Sequence, residues 1–378
     1  MRILRVITRL DVAGGAELST VLEAEGLAQR GHSVRVVTLS EPATARAVER
    51  LEVSGVECRF LPSPGWRQVL GLRRVIEQWR PDVVHAVIFR PELVTAFATV
   101  GRSVPTVVSL VNMQYAPEAV ASAPSPRRLD LLRRLEGFVL RHGIDHFHCL
   151  TSAGEQHSVE HLGIEPFRIT VVPRGRRREQ FHVDPEVVSQ LRDDLLDGRD
   201  HLVVNVGRHE LQKGQDLLVV AVDSLGDAGR GLRVVIAGRE GNGTEALHEQ
   251  LRRRGLDDTF RLLGARSDVA ALLAAADVVC VTSRWEGLGG SIIEALGAGA
   301  PVVAFAVPAV SEVLGDAGVA VPPFDTDAFA DAIRTLIGDE DRRRELSDLA
   351  RARFDTRFEM HTVLDMVEQL YVGLDRRG

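Results

Sequence analysis

The sequence predicts an α/β protein built from two doubly wound, Rossmann-like domains that face each other across a central cleft. Three observations carry this. The chain has 378 residues, too many for one ordinary core when a domain takes about 100–200 residues. Short β-branched apolar runs alternate with helical stretches from end to end. A polar, arginine-rich stretch, RGRRREQFHVDP at 174–185, interrupts the series and splits it in two.

The first series comprises RILRVITRL, SVRVVTL, ECRFLP, DVVHAVI, PTVVSLV, HFHCLTS and ITVVP, and the second LVVNVGR, LRVVIAG, FRLLGA, DVVCVTS, PVVAFAV and GVAVPP. Each run is almost unbroken in its apolar character, as a parallel strand covered on both faces must be. We therefore expect an N-terminal domain over 1–175 and a C-terminal domain over 176–355. The tail 356–378 is expected to be a helix: Val363, Met366, Val367 and Leu370 recur at helical spacing without a partner strand, so it should pack back on the first domain. In SPRRLDLLRRLEGFVLRHG, Leu131, Leu135, Phe138 and Val139 fall on one side of a helix, and Arg127, Arg133, Arg134 and Arg141 mostly on the other. That stripe is expected to pack on its own sheet; contact with an anionic membrane is the alternative.

Composition narrows the function classes. An apolar content of 45%, a charged content of 26% and 16 prolines describe a globular chain, and a net charge of -7 argues against a protein that coats nucleic acid. Cys58, Cys149 and Cys280 are odd in number and far apart, which fits a reducing cytoplasm and no metal cluster. The opening MRILRVITRL is broken by Arg2, Arg5 and Arg9, and no segment reaches the ~18 apolar residues of a membrane span.

In open parallel sheets, ligands bind beyond the carboxyl ends of strands, and the motifs fall there. Gly14-Gly15 follow the first strand and precede a helix; they either allow an anion to approach free backbone N–H groups or make a tight turn. LVVNVGR ends in Gly207-Arg208, and HELQ leads to Lys213-Gly214, so two cations project from one strand-to-helix loop. Lys213 is the only lysine in the chain. In SRWEGLGGSIIEALGAGAPVVAF, Glu286 lies in a loop after a strand and Glu294 in the following helix, so the two cannot act as one metal-binding pair on a helix face. They are better suited to different parts of one elongated ligand.

Arg208, Lys213-Gly214, the Glu286–Glu294 run, GGAE at Gly14–Glu17 and IAG at Ile236–Gly238 together resemble the family 4 (group 1) retaining glycosyltransferases of the GT-B fold. The resemblance implies transfer of a sugar from a nucleotide diphosphate-sugar to a hydroxyl acceptor, with no metal and no cofactor beyond the nucleotide sugar as co-substrate. It implies that Arg208 and Lys213, next to Gly207, hold the diphosphate, and that Glu286 with Gly287, Leu288 and Gly289 holds the sugar. Glu294 would take the ribose, Gly14 and Gly15 would face the phosphate, and the base would lie near Gly238, Arg239, Gly264, Ala265 and Arg266. Arg208, Lys213 and Glu286 are the catalytic candidates. A nucleotide-sugar epimerase of the same architecture and a catalytically silent sugar-nucleotide-binding subunit are the alternatives. Retention is implied by the family alone; with no first-domain carboxylate placed as a nucleophile, same-face departure and attack is favoured.

The chain departs from the family at several points. Where relatives commonly have a histidine after the fifth strand, it reads VVSLVNMQY, with Val111 and Asn112 at the place; Asn112, Gln114 and Tyr115 are acceptor candidates. The usual P-N-G-x-D becomes Pro173-Arg174-Gly175-Arg176-Arg177, and with Arg178 this makes either a solvated charge run or a patch for an anionic acceptor that includes Arg174. Asp325-Thr326-Asp327 has the spelling of a metal motif, but it precedes an amphipathic helix, where Asp is expected as the N-cap.

Overall fold

The computed structural model describes residues 1–11, 15–62 and 65–375. The chain divides into two compact units: unit 1 comprises 1–175 and 360–378, and unit 2 comprises 176–359.

Unit 1 holds a seven-stranded sheet of β1 (Arg2–Ile7), β2 (Ser33–Thr38), β3 (Glu57–Phe60), β4 (Val83–Val87), β5 (Thr106–Leu110), β6 (His146–Cys149) and β7 (Ile169–Val171). The strand order is β3-β2-β1-β4-β5-β6-β7, and every neighbouring pair is parallel. Unit 2 repeats the plan with β8 (His201–Val206), β9 (Leu232–Ala237), β10 (Phe260–Gly264), β11 (Val278–Val281), β12 (Val302–Phe305) and β13 (Val319–Val321), in the order β10-β9-β8-β11-β12-β13. In both sheets the chain starts in the middle, winds to one edge, then returns to the middle and winds to the other. The switch points lie between β1 and β4 and between β8 and β11.

The helix Met360–Asp375 belongs to unit 1. Met360, Val363, Leu364, Val367, Leu370 and Tyr371 are buried in one core with Ile3 and Ile7 of β1 and Val21 and Leu22 of the Gly15–Gln29 helix. The preceding residues 356–359, expected to go with the tail, stay in unit 2, where the Arg176 amide donates to the Phe358 carbonyl at 2.9 Å.

A buried chain of hydrogen bonds ties the final helix to the sheet, and its direction follows from its end. The Val172 carbonyl can only accept, so Nε2 of His148 (2.7 Å away) carries the hydrogen, and burial keeps the ring neutral by lowering its pKa. Its Nδ1 then accepts from the Ser109 hydroxyl at 2.8 Å, Ser109 accepts from His85 Nε2 at 2.7 Å, and His85 Nδ1 accepts from the Tyr371 hydroxyl at 2.7 Å. The Tyr371 oxygen accepts from Arg5 Nη1 at 2.9 Å, and Arg5 Nη2 donates to Glu23 at 2.7 Å. The Arg5–Glu23 ion pair is almost fully buried, so removing either residue would leave an uncompensated buried charge.

The helix Pro126–Gly143 corrects one expectation. Glu136, Gly137 and Leu140 make its buried side, while Leu131, Leu135 and Phe138 are 58%, 55% and 58% exposed. Of the expected stripe only Val139 packs against the core; Leu131, Leu135 and Phe138 face outward, and the inward side is made by Leu140, Gly137 and the Glu136 carboxylate. Cys149 and Cys280 are buried thiols in strands, and burial pushes Cys149 up to about 12.

Candidate active site

β8 and β11 are neighbours at the switch point of unit 2, so the loops that leave their carboxyl ends run side by side. They are stitched together. The Arg284 amide donates to the Gln212 carbonyl at 2.7 Å, Gln212 Nε2 donates to the Trp285 carbonyl at 3.0 Å, and the Thr282 hydroxyl donates to the Lys213 carbonyl at 3.0 Å. The Arg284 guanidinium grips both carboxylate oxygens of Asp216, at 2.8 and 2.6 Å. Gly214 has φ +59°, and a Cβ there would lie 2.0 Å from the Thr282 carbonyl oxygen, so only glycine lets the loops approach this closely.

This stitching places Lys213 Nζ 2.5 Å from Glu286 Oε1, and the Ser283 hydroxyl donates to the same oxygen at 2.7 Å. The two side chains are 19% and 7% exposed, so the charge pair is largely withdrawn from water. The sequence assigned the two residues to different parts of a ligand; the fold brings them into direct contact. Arg208, in the same loop as Lys213, is half exposed and pairs with Glu210 at 2.5 Å.

Glu294 lies in the helix Gly290–Ala298, and its Oε1 accepts from both Nε and Nη2 of Arg176 at 2.9 Å. Arg176 is 2% exposed, so this is a second withdrawn charge pair. Between the two glutamates, Gly287, Leu288 and Gly289 are buried, and Gly289, at φ +84°, opens the helix. The remaining donor candidates gather at the ends of β9 and β10. The Gly207 amide donates to the Ala237 carbonyl at 2.9 Å, Gly238 to Gly264 at 2.8 Å, and His209 to Arg239 at 3.0 Å. A Cβ on Gly238 would sit 1.9 Å from the Gly207 carbonyl oxygen, which explains the glycine of IAG. Arg239 and Ala265 are exposed, and Arg266 is bound to Asp268 through Nε at 2.7 Å.

The acceptor candidates all lie in unit 1. Asn112 is exposed. Gln114 Nε2 donates to Glu136 at 3.2 Å, and Tyr115 is 4% exposed with its hydroxyl given to the same carboxylate oxygen, so these two side chains serve a buried carboxylate rather than an open surface. Gly15 opens the helix Gly15–Gln29, with the Arg174 guanidinium 3.3 Å from the position a Cβ on Gly15 would take. Gly14 lies outside the described residues. Of the four arginines, Arg174 belongs to unit 1, while in unit 2 Arg176 pairs with Glu294, Arg178 pairs with Asp355, and the Arg177 amide donates to Gln180 Oε1 at 3.3 Å. Asp325 caps its helix by accepting from the Ala328 amide at 2.9 Å.

Sequence reasoning missed the supports. Arg176 was hidden in an arginine run, and Asn205, Gln215 and Ser283 were unremarkable. Asn205 Nδ2 donates to the Cys280 carbonyl at 2.8 Å and Gln215 Nε2 to the Gly207 carbonyl at 2.9 Å, which joins β8 to β11 and fixes the first loop. A polar residue inside the apolar run LVVNVGR was the available signal.

The model of the family described as Glycosyl transferases group 1 matches residues 189–353, and that of the Glycosyl transferase 4-like domain matches residues 14–175. The chain belongs to the group 1 glycosyltransferases. This glycosyltransferase is 30% identical over 226 residues to the alpha-D-kanosaminyltransferase of Streptomyces kanamyceticus, a match that covers 58% of the chain and spans 55% of that relative's length. It is 28% identical over 372 residues to the D-inositol 3-phosphate glycosyltransferase of Kribbella flavida, covering 89% and 86% of the two chains. The Anabaena protein HepE, crystallised with UDP, superposes on the glycosyltransferase with a TM-score of 0.83 at 23% identity, over 99% and 100% of the two chains. The shared fold is GT-B.

Proposed function

We propose that this glycosyltransferase moves a sugar from a nucleotide diphosphate-sugar to a hydroxyl acceptor with retention at the anomeric carbon. The observation that carries the reading is the Lys213–Glu286 pair, held by two stitched loops at the switch point of unit 2. Cleaving an anomeric C–O bond leaves positive charge on the sugar and extra negative charge on the departing diphosphate. A cation fixed at the leaving oxygen therefore stabilises the transition state more than the ground state. Lys213 supplies that cation from inside the loop, and Arg208, more exposed and paired with Glu210, swings onto the outer phosphate in this reading.

Glu286 in turn is the acceptor for sugar hydroxyls. Both of its hydrogen bonds fall on Oε1, so Oε2 remains on the opposite side of the carboxylate from its supports. Glu294, pinned on Oε1 by Arg176, offers its other oxygen to a ribose diol, and Gly238, Arg239 and Ala265 border the place for the base. The related structure with UDP-glucose supports this class of donor. The leaving charge is met by side-chain cations, so the reaction as proposed uses neither metal nor cofactor, and the nucleotide sugar and acceptor are met in the cytoplasm.

Incubation with a panel of nucleotide sugars, with and without polyol acceptors, tests the reading by mass spectrometry. Free nucleoside diphosphate together with a glycosylated product is expected, unaffected by EDTA, with the product's anomeric configuration by NMR matching that of the donor. Isomerisation of the donor alone, or binding without turnover, would refute it.

A further inference from the structure

We infer that unit 1 docks on an anionic lipid surface through the outer side of the Pro126–Gly143 helix. Leu131, Leu135 and Phe138 stand on successive turns, each more than half exposed, and form one apolar ridge. Scattered exposed apolar residues need no explanation, but three aligned along 18 residues of helix do. Arg127 and Arg128 are exposed near the start of this helix, and the Arg134 side chain is 71% exposed beside the ridge. Of the helix's two acidic residues, Glu136 is buried and Asp130 is engaged by Arg133 at 2.6 Å and Arg134 at 2.9 Å.

A convex apolar ridge bordered by arginines matches the boundary of a bilayer. Leucine and phenylalanine enter the acyl edge while guanidinium groups reach lipid phosphates on long stems. Charge selects this face, because the chain as a whole carries -7 and an anionic surface repels most of it. A second copy is a poorer occupant, since a two-fold contact would set the three arginines against their own counterparts.

The test is sedimentation of the full chain with vesicles of phosphatidylcholine alone or mixed with phosphatidylglycerol. Binding is expected on the mixed vesicles, and it should fall as salt rises. The double variant Leu135→Ser/Phe138→Ser should lose at least about tenfold in binding, and Arg127→Gln/Arg128→Gln/Arg134→Gln about fivefold per arginine, both with unchanged thermal melting. Failure of the wild type to sediment with the anionic vesicles overturns the inference, as does equal binding to neutral ones. A wild-type dimer that the Leu135→Ser/Phe138→Ser variant dissociates would assign the ridge to a second copy instead. None of these outcomes depends on the proposed chemistry of unit 2.

Discussion

Lys213 holds its ammonium 2.5 Å from Oε1 of Glu286, and the two residues belong to loops leaving adjacent strands. The pair is thus a property of the switch point: neither loop alone could position it. It also sets one positive against one negative charge, and in the proposed reaction the diphosphate would compete with Glu286 for the ammonium.

Lys213→Ala is accordingly expected to lower kcat by at least about 100-fold, and Lys213→Arg should recover little of it, because a planar, delocalised guanidinium does not reproduce the compact ammonium that Lys213 sets against Glu286. Steady-state kinetics checks this; a loss under about threefold would remove Lys213 from the leaving-group role.

Glu286→Gln should impair sugar transfer far more than nucleoside diphosphate affinity. Calorimetric titration of the nucleotide beside turnover measurements separates the two effects, and equal losses in both would contradict the division of labour between Glu286 and Glu294.

Arg176→Ala leaves the Glu294 carboxylate without its guanidinium. Donor KM should rise at least about tenfold, since both charge-assisted contacts to Glu294 are lost, with kcat little changed, and Arg176→Lys should restore part of it. A matching loss of kcat would show instead that Arg176 supports the whole loop.

Tyr371→Phe removes one link of the buried relay and leaves Arg5 and His85 each short of a partner. A cost of about 1–3 kcal/mol is expected, read by chemical denaturation. The same relay sets an acid limit. Burial and the nearby Arg5 charge hold the His85 pKa well below 6.5, so below that value the unfolded chain binds the proton that the folded chain refuses. Stability contributed by neutral His85 is therefore full at neutral pH and falls as the pH drops below about 6.5, and a melting series across that range checks it.

Glu92 shifts the other way. Burial first, then the Glu136 charge, raises its pKa well above 4.5, so the folded chain keeps a proton that the unfolded chain releases as pH rises. Glu92→Gln should thus stabilise the protein more at pH ~8 than at pH ~5; the reverse ranking in melting temperature would show that Glu92 is ionised in the fold.

The strands were legible because a parallel strand buried on both faces has only one kind of sequence, and runs such as DVVHAVI and PVVAFAV show it. The site was legible where backbone geometry forces a residue type, as at Gly214 and Gly238. Partnerships were not. Nothing local in the sequence reveals that Arg176 reaches Glu294, 118 positions away, or that the Leu131–Phe138 stripe faces out, because both depend on which competing side chain has taken the interior position.

The return of the Met360–Asp375 helix to unit 1 bears on how the protein is made. During synthesis, the apolar side of the Gly15–Gln29 helix and the buried Arg5–Glu23 pair must wait for Tyr371, which is made 366 positions after Arg5. Unit 2 lies between the two segments of unit 1 along the chain, so all of unit 2 is made before unit 1 can be completed. A chain cut before Met360 would therefore harm the core around β1, made long before the cut, while leaving the residues of unit 2 intact.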